Sequence, residues 1–455
     1  MRRSLLFCFF MFCCCIQLFA SDLMDIYVQA LDNDPIFKAA YDTYMVTSEA
    51  TPQARAALLP QLAINTLSGR NYLKALAGGF STADYYASNY WEFTASQSIF
   101  NYQAWAKVAQ AKASVKAAQA TFNDAAQDLM IRTARAYFEV LLAQDTLDFA
   151  EAKTRANKRQ LDQATKRFQV GVVAITAVYE AQAAYDQSVA TVITAKNNQM
   201  NQNENLRKLT NHYYEHLAPL RNKQIPLKSP EPDDVNQWVD TGLKQNFKLF
   251  SAKYNVEVAK ENVKALSAGN WPVLSIQGNA TETRNDVANN SVFLPKRQVF
   301  SNIAVAMNFP FFQGGLVQSQ TRQAQSNFQL YSERLEQSYR DVIVNTRIAF
   351  NTLRDGISKV KADRKTIISQ QKSLQSVEAQ FLAGTRTMVD VVNAQRSLFE
   401  AQEQSARSQY NFINGMLNLK YLAGSLNAND LELVNSWLAT TRVDGLPPNG
   451  DNVYK

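Results

Sequence analysis

The chain has 455 residues, and its 47 Lys and Arg against 40 Asp and Glu give a formal net charge of +7 with 46% hydrophobic residues. Those hydrophobic residues are spread thinly, which argues against several thick globular cores, and the charges form no basic arm, so nucleic-acid binding gains no support. The four cysteines are Cys8, Cys13, Cys14 and Cys15, leaving everything downstream without a thiol for a disulfide, a thiolate metal site or a nucleophile.

In chain order, "MRRSLLFCFFMFCCCIQLFA" (1–20) places Arg2 and Arg3 before an apolar run ending at Ala20, the layout of a cleaved secretory signal. The mature chain is expected to start near Ser21, and removal of Arg2 and Arg3 takes the formal charge from +7 to +5. None of the cysteines follows the small residue that lipid attachment needs. Past this segment no stretch approaches the roughly eighteen apolar residues of a membrane-spanning helix. Any crossing must use β-strands.

The rest is duplicated. "LLPQL" (58–62) returns as "NWPVL" (270–274) and "QSIFNYQ" (97–103) as "FPFFQGG" (309–315), both at an offset of 212. "FQVGVVAITAV" (168–178) returns as "FLAGTRTMVDV" (381–391) and "LRKLTN" (206–211) as "LKYLAG" (419–424), now at 213. Each repeat opens with a helical segment, roughly 22–56 and 235–268, broken at Pro60 or Pro272. A pair of short alternating strands follows, about 61–99 and 272–310. In "SNIAVAMNF" Ile303, Val305, Met307 and Phe309 share one face, and Asn302, Ala304, Ala306 and Asn308 the other. The aromatics of "DYYASNYWEF" (84–93) suggest an interface belt.

Residues 101–167 then contain neither Gly nor Pro, and 316–383 contain no Pro and only Gly356. As continuous helices these would each be on the order of 100 Å long. Leu129, Thr133, Ala136, Val140, Ala143, Leu147, Ala150, Thr154, Asn157, Leu161, Ala164 and Phe168 follow steps of three and four, a coiled-coil seam with many small residues. Gly171 ends this helix and a second one returns, so "FQVGVVAIT" is a hairpin tip and "FLAGTRTMV" its twin. Val173 and Ile175 can close the end of the coil. Val170 and Val172 flank the turn glycine, and an exposed apolar turn suggests a docking surface.

Four strands cannot close a membrane barrel, since the smallest use eight and open edges are not tolerated in lipid. The strands belong either to a soluble sheet or to a barrel shared between copies.

"LLPQL", "SQSIF", "ARAYFEVLLAQDTL", "RQLDQATKRFQVGVVAIT", "FPFFQGG" and "AGTRTMVDVVNAQRSL" together resemble the TolC family of outer-membrane export ducts, over nearly the whole mature chain. The resemblance implies an α+β membrane protein: a homotrimer with a twelve-stranded β-barrel, four strands per chain, continued by a long α-helical coiled-coil periplasmic tunnel. Repeat one then covers 21–211, a linker 212–234, repeat two 235–424, and a C-terminal equatorial segment and tail 425–455, with disorder expected for the last dozen residues. The partners implied are a periplasmic adaptor (membrane fusion) protein, an inner-membrane transporter of RND or ABC type, and outer-membrane lipid; no nucleic acid, cofactor or metal is implied. Val170, Gly171, Val172, Ala383, Gly384 and Thr385 are the expected adaptor-docking tips. Gln160, Thr176, Phe381, Arg386, Asp390 and Asn393 match the family's periplasmic gate. Ala177, Phe381 and Asn393 depart from the family's aspartate, tyrosine and second aspartate, so Arg386 needs another acceptor, Asp162 or a neighbouring carbonyl. Asp390 alone remains for an anionic ring at the entrance, unless it is a solvated helix residue.

Two other classes stay open on the residues themselves. A periplasmic coiled-coil structural or adaptor protein without a pore would also have helical hairpins, though not two strand pairs in register with them. "HYYEH" (212–216) has the H-x-x-E-H spacing of one zinc-peptidase class, with both histidines expected on one helical face. No third histidine exists, and a pair of surface histidines is the competing reading. No phosphate-binding glycine loop and no catalytic constellation is found, so the chain is not expected to be an enzyme.

Overall fold

A computed structural model describes residues 21–77, 80–221, 225–286 and 295–439. The expected signal over 1–20 and the final residues from 440 onward lie outside them.

The opening helical segment is three helices, not one. α1 (Leu23–Asn33) starts at a capping box in which Asp22 accepts from the amide of Asp25 and returns the exchange. It stops where Asp34 accepts from the amide of Phe37 at 3.0 Å and Pro35 opens α2 (Pro35–Ser48), a proline at the first helical position being preorganised for the helix. α3 (Ala50–Ala56) follows. The second repeat repeats the device: α6 (Val235–Gln245) and α7 (Phe247–Ser267) are divided by Asn246, whose side chain accepts from the amide of Leu249 at 3.1 Å. Asp34 and Asn246 are twins at the offset of the duplication, and each splits what the apolar pattern presents as one helix.

The strands are β1 (Gln61–Ala77), β2 (Phe80–Phe100), β3 (Val273–Asp286) and β4 (Arg297–Asn308). With 17, 21, 14 and 12 residues they are longer than the short segments expected, and longer than the nine to eleven or so that span a bilayer. They form one antiparallel sheet in the order β1-β2-β3-β4, so the two repeats join through β2 and β3.

α4 (Tyr102–Gln169) and α8 (Leu316–Leu382) are the long glycine-poor helices, with 68 and 67 residues. Each turns back as α5 (Ile175–Thr210) or α9 (Met388–Leu422), and α10 (Ala428–Asn435) is the last helix among the described residues. The seam on α4 is buried as its spacing requires: Leu129, Thr133, Val140, Ala143, Leu147, Ala150, Asn157, Leu161 and Ala164 are all buried, while Ala136 and Thr154 are partly so and Phe168 is exposed. Within it Asn157 donates through Nδ2 to the carbonyl of Ala184 on α5 at 2.9 Å. That bond fixes the register of the hairpin, because sliding α5 by one turn would strand a buried amide.

The chain divides into two units, one of Met1–Lys38, Ala126–Gly242 and Asn345–Lys455, the other of Ala39–Ala125 and Leu243–Val344. The first holds the main core, where Tyr137, Phe138, Tyr410, Ile413 and Leu417 pack with Leu23, Ile26, Leu431 and Val434. Tyr137 donates to the carbonyl of Ala218 and Tyr410 to Asp145 Oδ2, both at 2.7 Å, and burial pushes both phenols up, with Asp145 adding to the rise at Tyr410. The linker and the C-terminal segment meet in this unit: Leu220 forms an antiparallel bridge with Leu438, and Ala439 donates to the carbonyl of Pro219. The second unit contains the whole sheet.

Candidate functional site

Directly opposed residues of an antiparallel sheet point to the same face, so the register assigns every side chain. One face carries Leu62, Ile64, Trp91, Phe93, Ile276, Val299, Ile303, Val305 and Met307. The other carries Asn65, Asn71, Thr94, Ser96, Gln277, Asn279, Thr281, Asn302 and Asn308. The apolar face is bare: Ile303 is 84% exposed, Met307 69% and Leu62 66%. The cluster expected to form one belt divides between the faces, with Tyr85, Trp91 and Phe93 on the apolar side and Tyr86 and Tyr90 on the polar side. β1 and β4 are the two sheet edges, each paired on one side only. All described helices connect at one end of the strands; the β1/β2 and β3/β4 turns lie at the other.

At the first tip α4 ends in a Schellman turn. Val172 donates to the carbonyl of Arg167 and Gly171 to that of Phe168, both at 2.9 Å, with Gly171 at φ +75°. The second tip repeats it: Thr385 donates to Gln380 at 3.0 Å and Gly384 to Phe381 at 3.1 Å, with Gly384 at φ +78°. Val170 and Val172 are 73% and 60% exposed, and Ala383, Gly384 and Thr385 are exposed as well. Val173 is half-buried and Ile175 is exposed.

Close behind the turns lies a small apolar core that the sequence did not disclose, in which Leu161, Ala164, Ala181, Phe381, Met388 and Val391 join both hairpins, with Ala177 packed against them. Phe381 is therefore an interior residue, 7% exposed, and the Arg167 guanidinium lies 5.1 Å from its ring centroid. Arg167 also donates to the carbonyl of Leu382 at 3.4 Å, tying the first tip to the second.

Arg386 does not use Asp162, which pairs instead with Lys158 at 3.3 Å. Its partners are its own neighbours: Nε donates to Gln380 Oε1 at 3.2 Å and Nη1 lies 3.5 Å from Asp390 Oδ1. Asp390 is the acidic member of a capping box, its Oδ2 accepting from the amide and hydroxyl of Thr387, both at 2.9 Å. Those two bonds, and Arg386 after them, hold its carboxyl below the usual carboxylate range. The "TMVD" spacing is a capping-box signature and could have announced this role. Gln160 is half-buried and Thr176 exposed; Asn393, also exposed, lines a cavity with Lys153, Asn157, Glu180 and Arg396.

"HYYEH" is not helical. Asn211 caps α5 in the left-handed conformation at φ +53°, and His212 to His216 follow as irregular chain, so the two histidines do not share a helix face. Among the described residues no cluster of three or more His, Cys, Asp or Glu could hold a metal. No described helix is long and apolar enough to cross a membrane.

The sheet with one lipid-compatible face and the paired helical hairpins define a chain of an outer-membrane channel-tunnel. The sequence model of the outer membrane efflux proteins matches residues 26–212 and 238–425, one match per repeat, and the chain belongs to that family. It is 35% identical to the outer membrane protein TolC of Salmonella enteritidis, over 92% of this chain and 85% of that one. It is 27% identical to the alkaline protease secretion protein AprF of Pseudomonas aeruginosa, over 91% and 87%. Its fold matches the CmeC outer membrane channel of Campylobacter jejuni with a TM-score of 0.76 at 16% identity, covering 92% of this chain and 90% of that one. The protein is an outer-membrane efflux-family channel, not an enzyme.

Proposed function

We propose that three copies assemble into one passive duct, a twelve-stranded barrel in the outer membrane continued by a helical tunnel in the periplasm, and that it serves tripartite efflux or type I secretion. The carrying observation is the four-stranded sheet with one apolar face, one polar face and two unpaired edges. Lipid satisfies the apolar face and a water-filled lumen the polar one, but the edges require neighbouring strands. Three copies supply twelve strands. Energy for transport comes from the partner, an inner-membrane transporter of RND or ABC type coupled through a periplasmic adaptor.

Val170, Gly171, Val172, Ala383, Gly384 and Thr385 form the docking turns. Both glycines leave open space where a side chain would stand, and this supports close backbone approach by an adaptor hairpin. Gln160, Thr176, Arg386, Asp390 and Asn393 belong to the closing region behind the tips, with Phe381 as its internal support. The Arg386–Asp390 couple puts three opposed charge pairs at the entrance of the trimer, which favours cations less than three bare carboxylates would.

The mass of the particle extracted by detergent from outer membranes tests the assembly. Three protomers with channel conductance support the duct; a monomer, or a protein confined to the soluble periplasm, overturns it.

A further inference from the structure

At the turn end of the sheet the apolar face gives way to arginine. Trp91, Glu282 and Val299 lie in one row of that face; the next row outward is Ser68, Asn89, Arg284 and Arg297, and Arg70 stands one row further on β1. From Val299 to Met307 the apolar side of β4 rises about 27 Å along the strand. With the usual strand tilt of about 40° that is about 21 Å of height, most of a barrel's lipid-facing band of about 25 Å. Arg284 and Arg297 thus sit near the outer margin of the hydrocarbon, at the end of the strands opposite the one where α3, α4 and α8 connect.

Their chemistry is unbalanced. Both guanidiniums share a single carboxylate oxygen, Arg284 Nε at 2.5 Å and Arg297 Nε at 3.0 Å from Glu282 Oε1. Each is engaged through Nε alone among the described residues and is about two-thirds exposed, which leaves its terminal nitrogens without a described partner. The Arg70 guanidinium lies over the Tyr85 ring at 6.0 Å, and Tyr85 packs on Tyr72 at 4.8 Å, both on the same face. Asp286, one row beyond Arg284, is the other acid here.

We propose that Arg70, Arg284 and Arg297 hold the phosphate groups of an outer-leaflet lipid whose acyl chains lie along Trp91, Val299 and Ile303. The inference rests on the barrel reading of the sheet and on the turns facing the cell exterior. An arginine fork accepts two phosphate oxygens at once, and next to hydrocarbon that pairing is poorly screened. A phosphorylated lipid satisfies the arginines and the bare apolar face together, whereas free phosphate satisfies only the first.

The test uses the intact, detergent-purified particle, titrated with diphosphoryl lipid A, with the same lipid stripped of phosphate, and with inorganic phosphate, and read by native mass spectrometry. The expected result is that the phosphorylated lipid binds at least tenfold more tightly than the stripped one and that millimolar inorganic phosphate does not displace it. Replacing all three arginines, Arg70→Gln, Arg284→Gln and Arg297→Gln, is expected to weaken the phosphorylated lipid by roughly a hundredfold while leaving the stripped lipid unchanged. Equal binding of the two lipids by the unaltered protein overturns the proposal without any variant having to fold; so does displacement by inorganic phosphate, which would make the site one for free anions. A particle that is not a trimer refutes the barrel reading instead, and the two failures are thereby distinguishable.

Discussion

The Thr387–Asp390 box shows what one residue does at the second tip. Asp390 closes the first turn of α9 and, in the same carboxylate, answers Arg386. Its lowered pKa means that the ionised form is favoured by the fold; the contribution is present at neutral pH and is lost only as pH falls below the ordinary carboxylate range. The cap is thus expected to hold through mild acidification, checked by amide exchange over Met388 to Val391 at pH 7 and pH 5, with equal protection after correction for intrinsic rates. The two members of the pair should act oppositely in planar-bilayer recordings. Asp390→Ala leaves three uncompensated Arg386 charges and raises anion passage, whereas Arg386→Ala bares three carboxylates and increases cation preference and block by trivalent cations. Unchanged currents in both variants would remove the pair from the entrance. Deeper in the fold, Tyr410→Phe deletes the 2.7 Å bond to Asp145 and is expected to lower stability by about 1–3 kcal/mol. Thermal unfolding in detergent reads the loss.

At the scale of elements, much was legible because the signals were local. A glycine at the end of a long proline-free, glycine-poor run marks each tip, and alternation marks the strands. The joints at Asp34 and Asn246 were also written, as Asp-Pro and as an N-cap asparagine, but helix propensity on both sides concealed them. The tip core was not legible, since Leu161 and Phe381 lie 220 positions apart and only the packing of both hairpins brings them together. Phe381→Ala should therefore cost about 3–5 kcal/mol locally and loosen both tips, seen as faster exchange in residues 161–181 as well as 374–391. Loosening confined to the second hairpin would contradict that shared core. The turns themselves behave differently. Gly171→Asp or Gly384→Asp meets no steric obstacle and strains the backbone by about 1–2 kcal/mol, so trimers should survive while export in cells is abolished. Normal export would exclude these turns as the docking surface.

For the whole molecule, the duplication sets the plan and the differences between the copies set the function. The open edges of the sheet fall on β1 of the first copy and β4 of the second, so neither repeat closes the sheet by itself. The strand count and the polar and apolar faces could be read from alternation alone. The Arg284–Glu282–Arg297 cluster could not, because it depends on which residue of one strand stands beside which residue of the next.

The open edges also govern how the protein comes into being. A lone chain presents a full row of unpaired amides along β1 and another along β4, and these are ready templates for the wrong neighbour. No half-built duct can rest in hydrocarbon, because one or two copies still leave an edge exposed there. Completion must come as a single event, steeply dependent on the supply of newly exported chains, and an unmatched chain left waiting in the periplasm becomes a target for escort or proteolysis.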